Sequence, residues 1–411
     1  MKIWLVNHYA IHLQQAGGTR HFTLARELVR KGHQVTIIAS SFDHATRREI
    51  HLLDGEFSQL EIVDGVRFLW LRTPTYSGNG VRRVWNMVAF ARKVYGLRAV
   101  DLGGPPDVIM GSSPHLFAAW AAERLARRYR VPFVLEVRDL WPQSLIDLGS
   151  LSRNHPFVRM LERIEKTLYQ KASRIVTLLP AAGEHITQKG GNPDRIVWIP
   201  NGVDLRLLPP PSPPNEADTF TLMYAGAHGL ANNLDVVLEA AKILQDMPNP
   251  PKIKFHLVGD GPYKEYLIQK AKILHLNNVI FSPAIPKNRI YNVLQEADAF
   301  LLTLRNSPVF RWGVSPNKLF DYMAMARPII FSATTPADPV KEAGAGISVP
   351  ADDPRSLAEA ALLLAHMPLK ERWEMGLRGR TYVERHHLVP QLAMRLEEIL
   401  QAAIEDSSSE L

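Results

Sequence analysis

The 411-residue sequence has no cysteine. That excludes disulfides, thiolate metal sites and thiol nucleophiles. No run approaches the roughly 20 apolar residues that span a membrane. The opening MKIWLVNHY turns polar too soon for a secretory signal. No two aspartates stand two apart, so there is no D-x-D pair to hold a divalent ion on a diphosphate. The G-x-G-x-x-G fingerprint, the Walker A loop, H-E-x-x-H and the G-x-S-x-G elbow are also missing. The 15 histidines show no metal-ligand spacing, and adjacent His386 and His387 cannot share one helix face. The expectation is chemistry without a protein-bound metal or cofactor. Charge imbalance is small as well: 48 basic against 41 acidic residues, net +7. That permits anionic partners without being a nucleic-acid signature.

What is present is an α/β pattern. The hydrophobic fraction of 46% and charged fraction of 22% are those of a globular chain. KIWLVN reads as a buried parallel strand, followed by a loop ending in Gly17 and Gly18. Thr19 is placed to cap a helix, TRHFTLARELVRKG, that Gly32 stops. Two glycines at a helix mouth let a ligand approach the backbone. Residues 44–80 read as irregular. The helix VRRVWNMVAFARKVYGLRAV is basic and amphipathic, with Arg82 and Arg83 near its start and Trp85 and Phe90 as candidates for contact with an anionic membrane. Such a helix more often packs on a core. Strand PDVIMGSS ends at Ser113 with His115 beyond it, and PFVLEVRDLWP carries Arg138 and Asp139 at its end. Ligands bind at such carboxyl ends in open α/β sheets. The first half reads as about six α/β repeats with no antiparallel alternation.

The proline-rich run LLPPPSPPNEAD, residues 207–218, reads as a linker. The α/β pattern then restarts. One strand ends at Gly226, His228 and Gly229, and another at Gly259, Asp260 and Gly261. The last helices run into a polar tail, EDSSSEL, expected to be disordered.

The most informative stretch is SPNKLFDYMAMARPII, residues 315–330. Ser315 is a good N-cap and Pro316 suits the first helical position. A helix is expected from Asn317 to about Ala326, followed by a buried strand. Asn317, Lys318 and Asp321 fall on one face at i, i+1 and i+4. A helix start with a lysine suits a diphosphate, and the aspartate suits ribose hydroxyls. The alternative is an ordinary capped helix with a solvated Lys–Asp pair.

Taken together, the glycine loop at 17–18, SSPH, EVRDLWPQS, IPNGVD, YAGAHGLANNLD, LVGDGP, EADAFLLTL and SPNKLFDYMAMARPII resemble retaining glycosyltransferases of family 4. The bacterial O-antigen and capsule enzymes, including the L-fucosamine transferases, are the most similar. The resemblance implies the GT-B fold: two Rossmann-like doubly wound α/β domains facing each other across a cleft. It implies an acceptor domain over 1–206, joined by the final helix (about 386–405), the linker 207–218, and a nucleotide-sugar domain over 219–385. A UDP-sugar is the implied donor, carrying an N-acetylated hexosamine or 6-deoxyhexosamine. The implied acceptor is a polyprenyl-diphosphate-linked sugar, with the protein cytoplasmic or peripheral at the inner membrane face. Gly17 and Gly18 would touch donor phosphates and His115 would lie near the donor sugar. Asp321 would bind ribose, and the 259–261 turn would flank the base. Arg138, Asp139, Arg82 and Arg83 would face the acceptor.

Three family positions depart from the pattern. The first acid of E-x7-E falls on Gly313, the usual clamp arginine on Ala227 and the clamp lysine on Asn232. The expectation is that Lys318, Arg311 and the amides after Ser315 take over the diphosphate, with His228 and Gly229 lining the sugar pocket. Alternatives from other classes are a UDP-sugar 2-epimerase of the same architecture and a non-enzymatic membrane-binding protein.

Overall fold

The computed structural model describes all residues except 45, 79, 114, 215–216 and 410–411. Part of the proline-rich run, one residue of SSPH and the last two of the tail therefore lie outside the described residues. The chain forms two compact units. One comprises 1–12, 18–200 and 389–411, and the other 13–17 and 201–388. The division thus falls after Pro200, ahead of the proline-rich run.

The first unit contains β1 Lys2–Val6, β2 Gln34–Ser40, the short pair β3 Phe42–Asp43 and β4 Arg48–Glu49, β5 Ser58–Val63, β6 Val66–Leu71, β7 Val108–Ser112, β8 Phe133–Val137, β9 Arg174–Thr177 and β10 Ile196–Trp198. Its helices are α1 Arg20–Arg30, α2 Val81–Gly96, α3 Leu116–Tyr129, α4 Gln143–Asp147, α5 Pro156–Lys171 and α6 Ala182–Gln188. The main sheet runs β10-β9-β8-β7-β1-β2-β6-β5. Ile3–Val6 of β1 and Val108–Met110 of β7 are buried and apolar, as expected of central strands in a parallel sheet covered on both faces.

The segment expected to be irregular holds a hairpin. β5 pairs antiparallel with β6 from Ser58↔Leu71 to Val63↔Val66. Asp64 and Gly65 turn it at φ 49° and 82°, the backbone of a two-residue I′ turn. The Asp-Gly signal was present in the sequence, and it also corrects the expectation of no antiparallel strands. The final helix, α14 Val389–Ser409, belongs to the first unit. Glu397 on it pairs with Lys31 and His33, and Asp406 pairs with Arg174 at 2.5 Å. These contacts carry helix through most of the stretch expected to be a disordered tail.

The second unit has β11 Phe220–Ala225, β12 Ile253–Val258, β13 Val279–Ser282, β14 Ala299–Thr303, β15 Ile329–Ser332 and β16 Gly346–Val349. The order is β13-β12-β11-β14-β15-β16, all parallel. Its helices are α7 Leu234–Gln245, α8 Lys264–Ile273, α9 Lys287–Leu294, α10 Asn317–Ala324, α11 Pro339–Ala343, α12 Pro354–His366 and α13 Leu369–His386. Leu222, Phe255 and Leu301 under one face and Phe300, Leu302 and Phe331 under the other make two apolar layers. Each sheet reverses its winding once, at β1/β7 in the first unit and at β11/β14 in the second, and such points are where doubly wound sheets take ligands. Among the described residues no helix is long and apolar enough to cross a membrane.

Candidate functional site

At the switch point of the second unit, the loop after β11 lies against the turn after β12. His228 N–H donates to the Asp260 carbonyl at 2.8 Å, and Tyr263 N–H to the His228 carbonyl at 3.0 Å. A Cβ on Gly259 would lie 1.9 Å from the Gly226 carbonyl oxygen, and one on Gly261 would lie 2.4 Å from that of His228. Only glycine permits this approach. Lys264 fixes the turn from below by donating to the carbonyls of Gly259 (2.7 Å) and Ser282 (2.9 Å). Asp260 is exposed, its carboxylate accepting from Gly261 N–H at 2.7 Å.

Lys318 extends from the first turn of α10 toward this loop. Its Nζ donates to the Tyr224 hydroxyl at 2.6 Å and to Asn232 Oδ1 at 2.8 Å, and lies 4.2 Å from the Tyr224 ring centroid. A Cβ on Gly226 would come within 2.9 Å of that nitrogen, so the glycine leaves room for it. Burial pushes the lysine down to about 7. An ammonium has three N–H donors, and the protein engages two of them. Asn232 is the position where the resemblance expected a lysine. The structure brings the ammonium of Lys318 to the same place from another element.

His228 is fully buried beside this lysine, and neither ring nitrogen has a hydrogen-bond partner in the protein. Desolvation holds it down to about 4, so the ring is neutral, with one donor and one acceptor unused. Leaving a buried polar group unsatisfied costs about 1–3 kcal/mol. Such a pair is what a ligand's hydroxyls or phosphate oxygens would repair.

Several expected residues are placed differently. Ser315 does not cap α10. Pro316 takes the N-cap position without a side-chain bond, and Ser315 instead accepts from Asn201, Oγ from N–H at 3.0 Å and its carbonyl from Nδ2 at 2.5 Å. Lys318 and Asp321 do not pair. Asp321 accepts from Lys287 Nζ and from the Tyr291 hydroxyl at 2.9 Å. Asn317 is half-buried in the first turn of α10. Arg311 is exposed on a 3-10 turn, its guanidinium 5.0 Å from the Trp312 ring. Gly229 opens the short turn Leu230–Asn232. Gly17 has φ 143°, and the Leu13–Gly17 stretch is counted with the second unit while Gly18 stays with the first.

In the first unit, His115 is 1% exposed. It is the N-cap of α3, its Nδ1 accepting from Ala118 N–H at 3.4 Å, and its Nε2 meets His8 Nδ1 at 2.8 Å. Desolvation holds it down to about 3, so it is neutral, and both its ring nitrogens are already engaged. Arg138 is half-buried, and its N–H donates to Ser113 Oγ at 2.8 Å. Asp139 and Arg82 are exposed and Arg83 half-buried. Phe90, expected at a membrane face, is buried 4.3 Å from the His8 ring, whereas Trp85 is 55% exposed.

A polar network that no sequence motif marks lies at the same sheet end. Glu136 accepts from Arg20 at 2.8 Å, and it meets His21 at 2.6 Å and Ser112 at 2.5 Å. Arg20 also donates to the carbonyls of Pro200 and Ile199, and Asn7 donates to Ser112 Oγ at 2.9 Å. Desolvation pulls His21 and Arg20 down; it would raise Glu136, but His21 and then Arg20 outweigh it and hold the carboxyl well below its ordinary range. Glu136 lies in the EVRD stretch, and burial of a glutamate has no local sequence signal.

Comparison with known proteins decides the family. Residues 17–202 match the glycosyl transferase 4-like domain, and residues 219–366 match the glycosyl transferases group 1 domain.

The chain belongs to the glycosyltransferases.

A curated relative from Pseudomonas aeruginosa, named "Probable glycosyltransferase WbjE", is 25% identical over 244 residues. That match covers 56% of this chain and 60% of the relative's length, so the chain spans about three-fifths of it. Sucrose-phosphate synthase from Thermosynechococcus elongatus superposes with a TM-score of 0.74 at 16% identity, over 97% of this glycosyltransferase and 98% of that chain. Anabaena HepE, solved with UDP and glucose, gives 0.69 at 16% identity over 98% and 99%. The two Rossmann-like α/β units are those of the GT-B glycosyltransferases.

Proposed function

We propose that the protein transfers a sugar from a UDP-sugar to a sugar acceptor with retention of anomeric configuration. Lys318 carries the reading. It is a partly buried cation at a helix start, held by Tyr224 and Asn232, with one donor left for a diphosphate oxygen. The unpartnered imidazole of His228 next to it suits a donor sugar hydroxyl or phosphate oxygen. Structural neighbours solved with UDP and with UDP-glucose support the donor class.

The chemistry needs little from the protein beyond position and charge. The bond from the anomeric carbon to the diphosphate oxygen breaks as the acceptor oxygen bonds to the same face. The acceptor proton passes to the departing phosphate oxygen. Lys318, the amides opening α10 and the turn at Gly259–Gly261 hold and neutralise the leaving group. His115, neutral and with both ring nitrogens engaged at the start of α3, acts as a positioning residue rather than as an acid or base. The reaction uses no metal at the diphosphate.

The sugar we favour is an N-acetylated hexosamine or 6-deoxyhexosamine. The acceptor is a polyprenyl-diphosphate-linked sugar in bacterial surface polysaccharide synthesis. Exposed Val81 and Trp85 beside Arg82 on α2 support peripheral contact with an anionic inner-membrane face. The test is thermal unfolding with UDP-, GDP-, dTDP- and ADP-sugars without added metal, followed by NMR of the product's anomeric centre. A shift with UDP and one UDP-sugar, and a product that keeps the donor's configuration, are expected. No shift with any nucleotide would overturn the donor assignment, and an inverted product would overturn the mechanism.

A further inference from the structure

Away from the switch points, the structure gathers three groups that are far apart in the chain: His12 from the loop after β1, His51 from the segment after β4, and Glu61 on β5. One ligand atom from each lies within 4.8 Å of the other two. The surroundings hold them in place. His51 stacks flat on Trp70 with centroids 3.5 Å apart and planes at 9°. The Trp70 indole N–H donates to Glu61 Oε2 at 2.6 Å. The His12 ring stands edge-on to Phe68 and Trp70, at 5.8 and 6.2 Å. His12 is 4% exposed and the His51 side chain 10%.

A plain packed cluster would satisfy these groups among themselves, but here His51 is not satisfied. Its Nδ1 stands 3.7 Å from Glu61 Oε2, beyond hydrogen-bond range, and its Nε2 is buried without a partner. Two imidazoles and a carboxylate, with the carboxylate steadied by an indole N–H, are a borderline donor set with a second shell already built.

We infer that His12, His51 and Glu61 form a site for a zinc-class divalent transition metal, with water completing the coordination. Tetrahedral bonds of about 2.1 Å place ligand atoms about 3.4 Å apart, so the three close in modestly on binding. The role is structural. The ion ties the β5–β6 hairpin to His12, the residue at which the chain leaves the first unit. It thereby fixes one end of the loop that carries Gly17 and Gly18. Sugar transfer uses no step at this ion.

The test uses the full, tag-free chain after chelator treatment. Zinc chloride is titrated calorimetrically, and the cobalt(II) form is examined by visible absorption. One ion per chain, intense cobalt d–d bands and a raised melting midpoint with zinc are expected. His51→Ala and Glu61→Gln should each weaken zinc binding at least about tenfold and abolish the thermal shift. Glu61 is partly exposed, so Glu61→Gln provides a reading should His51→Ala fail to fold; melting in chelator tests each variant's fold. Absence of saturable binding, or unchanged binding in a folded Glu61→Gln, would overturn the site.

Discussion

Two polar sets, one at the sheet end of each unit, differ in how fully they are hydrogen-bonded. In the first unit, Glu136, Arg20, His21, Ser112 and Asn7 bond to one another and to the Ile199 and Pro200 carbonyls. In the second, Lys318 keeps a donor in reserve and His228 keeps both ring nitrogens unpartnered. Both sets sit at the switch point of a doubly wound sheet. The lesson is that position alone does not mark a ligand site; unmet hydrogen-bonding capacity does. A closed network is worth its burial only as structure, because removing one member strands a charge. An open one is worth its burial only when a ligand completes it.

Glu136→Ala should produce the largest effect. It leaves Arg20 and His21 buried without their carboxylate and should cost about 3–5 kcal/mol in denaturant unfolding. UDP affinity of the folded protein should stay within about twofold. Near-wild-type stability would show that the network is not the closed structure described.

Lys318→Ala should behave in the reverse way. UDP should bind at least about tenfold more weakly by calorimetry, about 1.4 kcal/mol, while stability changes little because a desolvated cation is lost. Unchanged UDP affinity would remove Lys318 from the donor site.

The pH dependence sharpens the same contrast. Free Lys318 sits at about 7, below its ordinary 10.5, and a bound diphosphate raises it. Binding above pH 7 therefore takes up a proton, and UDP affinity should fall from pH 7 to pH 9, by at most about tenfold per unit. Lys318→Ala should flatten that profile in calorimetry across buffers of different ionisation enthalpy. The stability effect runs the other way. Between about 7 and 10.5 the unfolded chain holds this proton and the folded chain does not, so the Lys318 contribution rises with pH.

The smallest effect is expected from Tyr224→Phe. It removes one acceptor from Lys318 but keeps the ring beneath it, so UDP affinity should drop only about two- to fivefold, about 1 kcal/mol or less. A loss as large as that of Lys318→Ala would mean that the hydroxyl itself meets the ligand.

Much of the fold was legible because α/β periodicity is local. The buried strands, the amphipathic helices and the restart of the pattern near residue 219 could be read directly. The β5–β6 hairpin was legible too, through Asp64-Gly65, but its alternation is weakened by exposed Leu60 and Ile62. Ser315 looked like a cap because serine usually is one. The structure uses it to hold Asn201, a partner that spacing cannot indicate.

Local sequence patterns were enough for the repeated α/β units, the glycines at positions 259 and 261, and a lysine at the start of α10. Each follows from residue-level preferences acting over a few neighbours. What the lysine does depends on long-range packing. The β11 and α10 segments had to come together before Lys318 could reach Asn232 and Tyr224, and Asp321 be taken by Lys287 and Tyr291. The same holds for Glu136 with Arg20, and for His12, His51 and Glu61. Side chains distant in sequence meet through crossovers and sheet order, and that information is spread over the whole packed chain.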